Sequence, residues 1–303
     1  MFIAARVSRI VFQWVCLEIN ILSFIPLLIR GGAGSDIVVG IKYFISQRVA
    51  SLLFISVVVV NLRVVRVEIV TAVVILFKLG VPPFHSWLIS ILEFIKPLFI
   101  FITLTIQKLV PLFILSQLKI SQRVGGLFLI VGVIFILLCL NRVRSFFTLI
   151  FLSSVVNTLW ILISLTSGGS WFSFIIIYSV LLLSLIFCVR SILSFKVVDV
   201  TKLGGVEGRL LSFNFLNLGG LPPLAGFLAK IILIKRMIRC SLLIIFSLVL
   251  SSLLLLYLYV VFRYQAYSLT KKPSSSRVVG GSDFTPSLTV SLLCRGLVLW
   301  LLK

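Results

Sequence analysis

The chain has 303 residues, of which 61% are apolar and only 12% charged, and its mean hydropathy is +1.29. Soluble domains run at roughly 45–50% apolar and 25% charged, so a water-soluble fold would lack the polar groups to cover itself; a bilayer as solvent removes that problem. The net charge of +21 comes from 28 Lys and Arg against 7 Asp and Glu, but no basic stretch is longer than Lys271-Lys272, which reads as charge facing lipid headgroups and argues against a nucleic-acid partner.

A spanning helix needs about 20 apolar residues. The apolar runs predict about ten, at 7–29, 36–60, 64–80, 97–118, 124–140, 145–166, 171–195, 210–236, 240–264 and 286–303. The breaks between them carry turn chemistry, as in Gly31-Gly32-Ala33-Gly34, Pro82-Pro83, Ser167-Gly168-Gly169-Ser170 and Gly204-Gly205. The expectation is an all-α, polytopic transmembrane bundle, one domain over 1–303 with no separate soluble domain. The first apolar run passes through Glu18 to Ile29 without a small-residue cleavage site, so no cleavable leader is expected.

Cys16, Cys139, Cys188, Cys240 and Cys294 lie far apart with no CxxC, which predicts neither a zinc site nor a disulfide framework. His85 is the single histidine, and one histidine cannot build a multi-histidine haem or metal site. Two otherwise continuous helices carry interruptions. Gly219-Gly220-Leu221-Pro222-Pro223 falls inside the apolar run 210–234, and Pro111 follows Lys108 inside 97–118. Proline frees a carbonyl from the helical ladder and glycine lets the chain unwind. At membrane depth this is tolerated only where the backbone is buried in protein or lines a hydrated cavity.

Most basic residues lie near helix ends, where they reach the headgroups; Lys42, Lys96, Lys119, Lys196, Lys235 and Lys303 are read that way. Glu18, Lys78, Lys108 and Lys230 are not so placed. A charge at the bilayer centre costs about 2.5–3.5 kcal/mol, so four of them, dry and unpaired, would cost on the order of 10 kcal/mol. That rivals the stability of a whole domain. They are therefore expected to face the bundle interior, pair, or contact water. A lysine beside a carboxylate of adjustable spacing is a switch for a proton, and lysines along a hydrated path pass protons between waters. His85, seven residues after Lys78, is a candidate relay at a helix end; a hydrogen-bonded loop histidine is the alternative.

Several stretches resemble a known family. Trp14-Val15-Cys16-Leu17-Glu18-Ile19-Asn20-Ile21-Leu22-Ser23-Phe24-Ile25-Pro26 is similar to the first signature of NADH dehydrogenase subunit 2, an antiporter-like subunit of mitochondrial respiratory complex I. Ile41-Lys42-Tyr43-Phe44 with Gln47 resembles the next helix. Phe77-Lys78-Leu79-Gly80-Val81-Pro82-Pro83-Phe84-His85-Ser86-Trp87 resembles the end of its lysine helix, and Ile106-Gln107-Lys108-Leu109-Val110-Pro111 its broken mid-membrane helix. Asn217-Leu218-Gly219-Gly220-Leu221-Pro222-Pro223, continuing to Lys230, resembles the second broken helix. Asn157 departs from the pattern, standing where a histidine is common.

The resemblance implies an antiporter-like fold with two broken helices. It implies that Glu18 and Lys78 form a carboxylate–lysine pair, that Lys108 is the central proton carrier and that Lys230 is the terminal lysine. The function implied is proton translocation coupled to NADH:ubiquinone electron transfer, as a subunit of the enzyme in the mitochondrial inner membrane. No cofactor is expected in this chain, with NADH, FMN, iron–sulfur clusters and ubiquinone bound by other subunits. The expected partners are neighbouring antiporter-like membrane subunits and membrane lipids. A stand-alone cation/proton antiporter is the alternative, as is a scaffold in which the charges only lock helices together.

Members from animals tend to be rich in Met and poor in Arg, whereas this chain has two Met and carries Arg48 and Arg190 inside apolar runs. The hypothesis is translation with an unsuitable genetic code, which writes some Met codons as Ile and some Ser codons as Arg. Peptide mass spectrometry of the natural protein is then expected to read serine at these two positions; arginine there overturns the hypothesis.

Overall fold

A computed structural model describes residues 2–30, 34–60, 67–118, 122–139, 146–168, 171–192, 206–222, 224–237 and 242–270. Their elements are α1 (Phe2–Ile29), α2 (Gly34–Val60), α3 (Val67–Leu79), α4 (Ser86–Leu92), α5 (Pro97–Leu104), α6 (Ile106–Gln117), α7 (Gln122–Cys139), α8 (Phe146–Thr166), α9 (Trp171–Ile192), α10 (Val206–Gly219), α11 (Ala225–Arg236) and α12 (Leu242–Thr270). Among the described residues six stretches are long and apolar enough to cross a membrane: Val11–Ile29, Gly34–Val57, Pro97–Gln117, Phe146–Thr166, Trp171–Val189 and Leu242–Val261. The helix expected at 286–303, the polar stretch beyond Thr270, Cys240 and Cys294 lie outside the described residues. The chain divides into two compact units, residues 1–128 and 129–303.

In the first unit α1 packs on α2, α2 on α3 and α4, and α6 on α1, α3 and α5. Leu17, Ile21, Phe24, Phe54, Ile75 and Leu79 form its core, while Phe12, Ile19, Leu22 and Leu52 are exposed. Large apolar side chains on the outside and charges within invert the soluble arrangement, as lipid contact requires. α3 stops at Gly80, whose φ of +69° only glycine adopts at no steric cost. The Gly80 N–H bonds the Phe77 carbonyl at 3.1 Å and the Val81 N–H bonds that of Leu76 at 3.2 Å, closing a Schellman cap. The seven-residue α4 follows, burying Leu88, Ile91 and Leu92. Sequence periodicity passes over it because two turns are too few to show a repeat.

The interruption expected at Pro111 lies instead six residues earlier. Thr105 ends α5 and begins α6 with φ −119° and ψ −74°, and Pro111 sits inside α6. The Thr105 hydroxyl donates back to the Phe101 carbonyl at 2.6 Å. The Lys108 N–H reaches the Thr105 carbonyl at 3.1 Å, a tightened turn. Pro111 costs α6 only one bond, because its missing N–H leaves the Gln107 carbonyl without its helical donor. The Asn20 side chain on α1 donates to that carbonyl at 3.4 Å.

In the second unit α8 is the central helix, buried almost continuously from Phe146 to Ser164 and packed against α9, α11 and α12. Its polar groups serve their own backbone: Ser153, Thr158 and Ser164 donate to carbonyls three residues back, and Asn157 donates to that of Ser153 at 2.9 Å. The break foreseen at Gly219-Gly220 is present. Gly220 has φ +83°, and the Gly220 and Leu221 N–H groups bond the carbonyls of Asn217 at 3.2 Å and Leu216 at 3.2 Å. This repeats the cap at the end of α3. α11 then starts so close to α10 that a Cβ on Gly226 would collide with the Asn217 backbone carbonyl oxygen, while the Asn217 side chain accepts the Gly226 N–H at 3.2 Å.

Gly226→Ala is accordingly expected to destabilise the second unit by about 1–3 kcal/mol and to lower the amount of folded protein in membranes. Gly34→Ala, where added atoms meet nothing within 4 Å, is expected to leave that amount unchanged.

Candidate functional site

The four charged residues expected in the interior are there: Glu18, Lys78, Lys108 and Lys230 are 8%, 5%, 7% and 5% exposed. Of the lysines read as reaching the headgroups, Lys42, Lys96 and Lys235 are exposed, and Lys119, Lys196 and Lys303 lie outside the described residues. Lys96 pairs with Asp36 at 3.2 Å, and Lys42 lies over the Phe94 ring at 5.8 Å.

In the first unit Lys78 and Lys108 line one cavity of about 20 Å³. That is room for a water molecule. Asn20, Tyr43, Gln47, Trp87, Thr103 and Gln107 are among the residues that line it. Lys78 stands in the last turn of α3, and its carbonyl accepts from Gln47 at 3.4 Å. Among the described residues its Nζ has no hydrogen-bond partner. The Trp87 indole N–H donates to the Phe77 carbonyl at 3.1 Å, so the residue before Lys78 is anchored by the second residue of α4. Lys108 stands in the first turn of α6, three residues beyond the break.

Glu18 does not bond Lys78 directly. Arg48 on α2 meets its carboxylate at 2.6 Å, and the charges of both residues reach Lys78. The Arg48 guanidinium also lies 5.1 Å from the Phe44 ring centre. In the chain as written the group is therefore one carboxylate between two cations, not the simple pair expected. The sequence marked Arg48 as odd but gave no reason to join it to Glu18, because the two stand thirty positions apart on different helices.

Lys230 belongs to the second unit. Its Nζ donates to the Gly219 carbonyl at 2.6 Å, an oxygen left over by the end of α10, and lies 5.9 Å from the centre of the Trp160 ring. A hydrogen bond to a charged donor contributes about 1.5–3 kcal/mol, against an insertion cost of about 2.5–3.5 kcal/mol; the break offsets most of the burden of the lysine beside it. Gly220 has to be glycine for space as well as for φ, since a Cβ there would stand 3.0 Å from the Lys230 Nζ.

His85 is half-buried between α3 and α4 and does not line the Lys78–Lys108 cavity. Its Nδ1 lies 3.0 Å from the Pro83 carbonyl. Burial lowers its pKa below the ordinary imidazole value and the Pro83 carbonyl opposes that shift. No group of three or more metal-ligating side chains occurs among the described residues.

Removing either member of the Glu18–Arg48 pair strands the other. Glu18→Gln and Arg48→Met are each expected to lower thermal stability in detergent. The double variant is expected to lose about 1–3 kcal/mol less than the sum of the two. Additive losses would show that Arg48 is not the partner of Glu18.

The chain is similar to known proteins of animals. The chain is 31% identical over 292 residues to NADH-ubiquinone oxidoreductase chain 2 of Scyliorhinus canicula, covering 88% of this chain and 81% of the relative. It is 28% identical over 284 residues to NADH-ubiquinone oxidoreductase chain 2 of Anopheles gambiae, covering 86% of this chain and 81% of the relative. In fold it matches a chain of the respiratory complex I of Thermus thermophilus, with a TM-score of 0.77 over 96% of this chain and 73% of that one, at 18% identity. No protein-family model matches it.

Proposed function

This chain belongs to the NADH-ubiquinone oxidoreductase chain 2 family, and from that premise we propose that Glu18, Lys78, Lys108 and Lys230 carry its part in proton translocation. It serves as a membrane-arm subunit of the NADH-oxidising, ubiquinone-reducing complex, coupling electron transfer elsewhere to proton movement. The observation that carries the proposal is the shared cavity of Lys78 and Lys108. Two lysines lining one small, partly polar space let a proton pass through water with little motion of either helix.

Glu18 is the control element. A carboxylate close to an ammonium group holds the proton on it, and withdrawal lets it go. Glu18, engaged by Arg48 and within electrostatic reach of Lys78, acts by shifting between the two. Lys108 receives and passes the proton at the α5–α6 break, and Lys230 performs the terminal transfer in the second unit, exchanging its hold on the Gly219 carbonyl for water. His85 is a relay at the end of the α3 segment. Redox chemistry with NADH, FMN, iron–sulfur clusters and ubiquinone belongs to other subunits, and the chain lies in the mitochondrial inner membrane beside neighbouring antiporter-like subunits and lipid. Animal relatives and the burial of all four charges support this reading.

Lys108→Met is expected to lower NADH-driven proton transfer by about 10²-fold, the low end of what a positioned proton carrier contributes. Lys42→Met, on the exposed face of α2, is expected to leave it near the parent value. Equal activities, measured by a pH dye in membrane vesicles holding the assembled complex, refute the ranking.

A further inference from the structure

We propose that the hydrogen bond between Tyr43 and Gln107 is a neutral latch that sets how Lys78 and Lys108 face each other across their cavity, which makes Tyr43 a positioning residue for proton transfer. The proposal rests on the proton-path reading of the two lysines. Tyr43 is buried on α2, 3% exposed, and its hydroxyl donates to the Gln107 Oε1 at 3.0 Å. Gln107 immediately precedes Lys108. Its backbone carbonyl, deprived of a helical donor by Pro111, is the acceptor for Asn20. The first turn of α6 is thus tied by its side chain to α2 and by its backbone to α1.

The same tyrosine reaches the other lysine through its ring. Tyr43 packs edge-on against Trp87, centroids 6.3 Å apart, and Trp87 holds the Phe77 carbonyl beside Lys78. The ring also packs edge-on against Phe24, centroids 5.2 Å apart, a second contact that holds it in place. One side chain therefore connects the support of Lys78 with the support of Lys108, and Tyr43, Gln107 and Trp87 all line the cavity between them.

The chemistry of the bond makes it a latch, not a proton-carrying link. An amide oxygen accepts a hydrogen bond but has no proton to hand on, so a proton reaching the Tyr43 hydroxyl has no exit through Gln107. What the bond fixes is geometry, and a misplacement of about 1 Å costs on the order of 10²-fold in transfer steps that depend on alignment.

The test uses the assembled complex in membrane vesicles, reading protons moved per NADH oxidised and the amount of complex. Tyr43→Phe keeps the ring and removes the donor; Gln107→Met keeps the length and removes the acceptor. Each is expected to lower protons per NADH severalfold at unchanged complex content. The double variant is expected to fall no further than either single one, because both break the same bond. Ile45→Ala, on the exposed face of α2, is expected to match the parent. Three results overturn the latch: unchanged protons per NADH in both singles, a loss confined to the amount of complex, or a double variant that falls by the product of the two. If Lys108→Met is impaired while both singles match the parent, the latch alone fails. If Lys108→Met also pumps at the parent level, the proton-path reading fails and the latch with it.

Discussion

An ammonium group inside an apolar bundle has to find oxygen, opposite charge or water, and in this chain each buried lysine stands beside a helix end or break. A continuous helix consumes its own carbonyls and offers a buried lysine nothing. A helix that ends inside the bundle releases its last few, and the lysines of interest stand at such ends: Lys78 in the last turn of α3, Lys108 just past Thr105, and Lys230 one turn into α11 with its Nζ on the Gly219 carbonyl. The breaks and the lysines are thus one feature. Without the break the charge is too costly, and without the charge the freed carbonyls are left to polar side chains such as Asn20 and Gln47.

The two glycine-ended helices show how closely the solution repeats. α3 and α10 are each followed by a glycine in the left-handed region, whose own N–H and that of the next residue fold back on the carbonyls three and five residues earlier. The remaining carbonyls of each end then go to different donors. The Lys78 carbonyl goes to Gln47, leaving its ammonium group to the cavity, whereas the Gly219 carbonyl goes to Lys230 itself. The same backbone device leaves one lysine facing polar space and ties the other to the backbone.

Much of this was legible in the sequence because insertion cost singles out residues one at a time. Glu18, Lys78, Lys108 and Lys230 stand out in apolar runs, and Gly-Gly-Leu-Pro-Pro marks a break by composition alone. What the sequence did not carry is pairing between distant positions. Nothing local links Glu18 to Arg48, or Tyr43 to Gln107, since each pair spans helices separated by turns of unspecified direction. The misplaced break has a local cause. Proline is the conspicuous helix breaker, yet here it costs one bond that Asn20 makes good, while Thr105, an unremarkable residue by propensity, bends its hydroxyl back to Phe101 and turns the chain.

Arg48 sharpens the question of which group changes charge. Of the two cations that share Glu18, a guanidinium keeps its proton at any pH a protein meets, whereas an ammonium group can release one. On the proposed reading, movement of Glu18 between them would therefore be read out at Lys78 alone, with Arg48 a fixed competitor that holds the carboxylate when Lys78 does not. A serine at position 48 would remove the competitor and leave Lys78 as the cation to which Glu18 answers. The pair would then be the simple carboxylate–lysine switch, with the carboxylate held in place by the lysine's own charge. The identity of one residue on α2 thus decides whether withdrawal of Glu18 from Lys78 has an electrostatic destination or has to be driven wholly by movement of the helices.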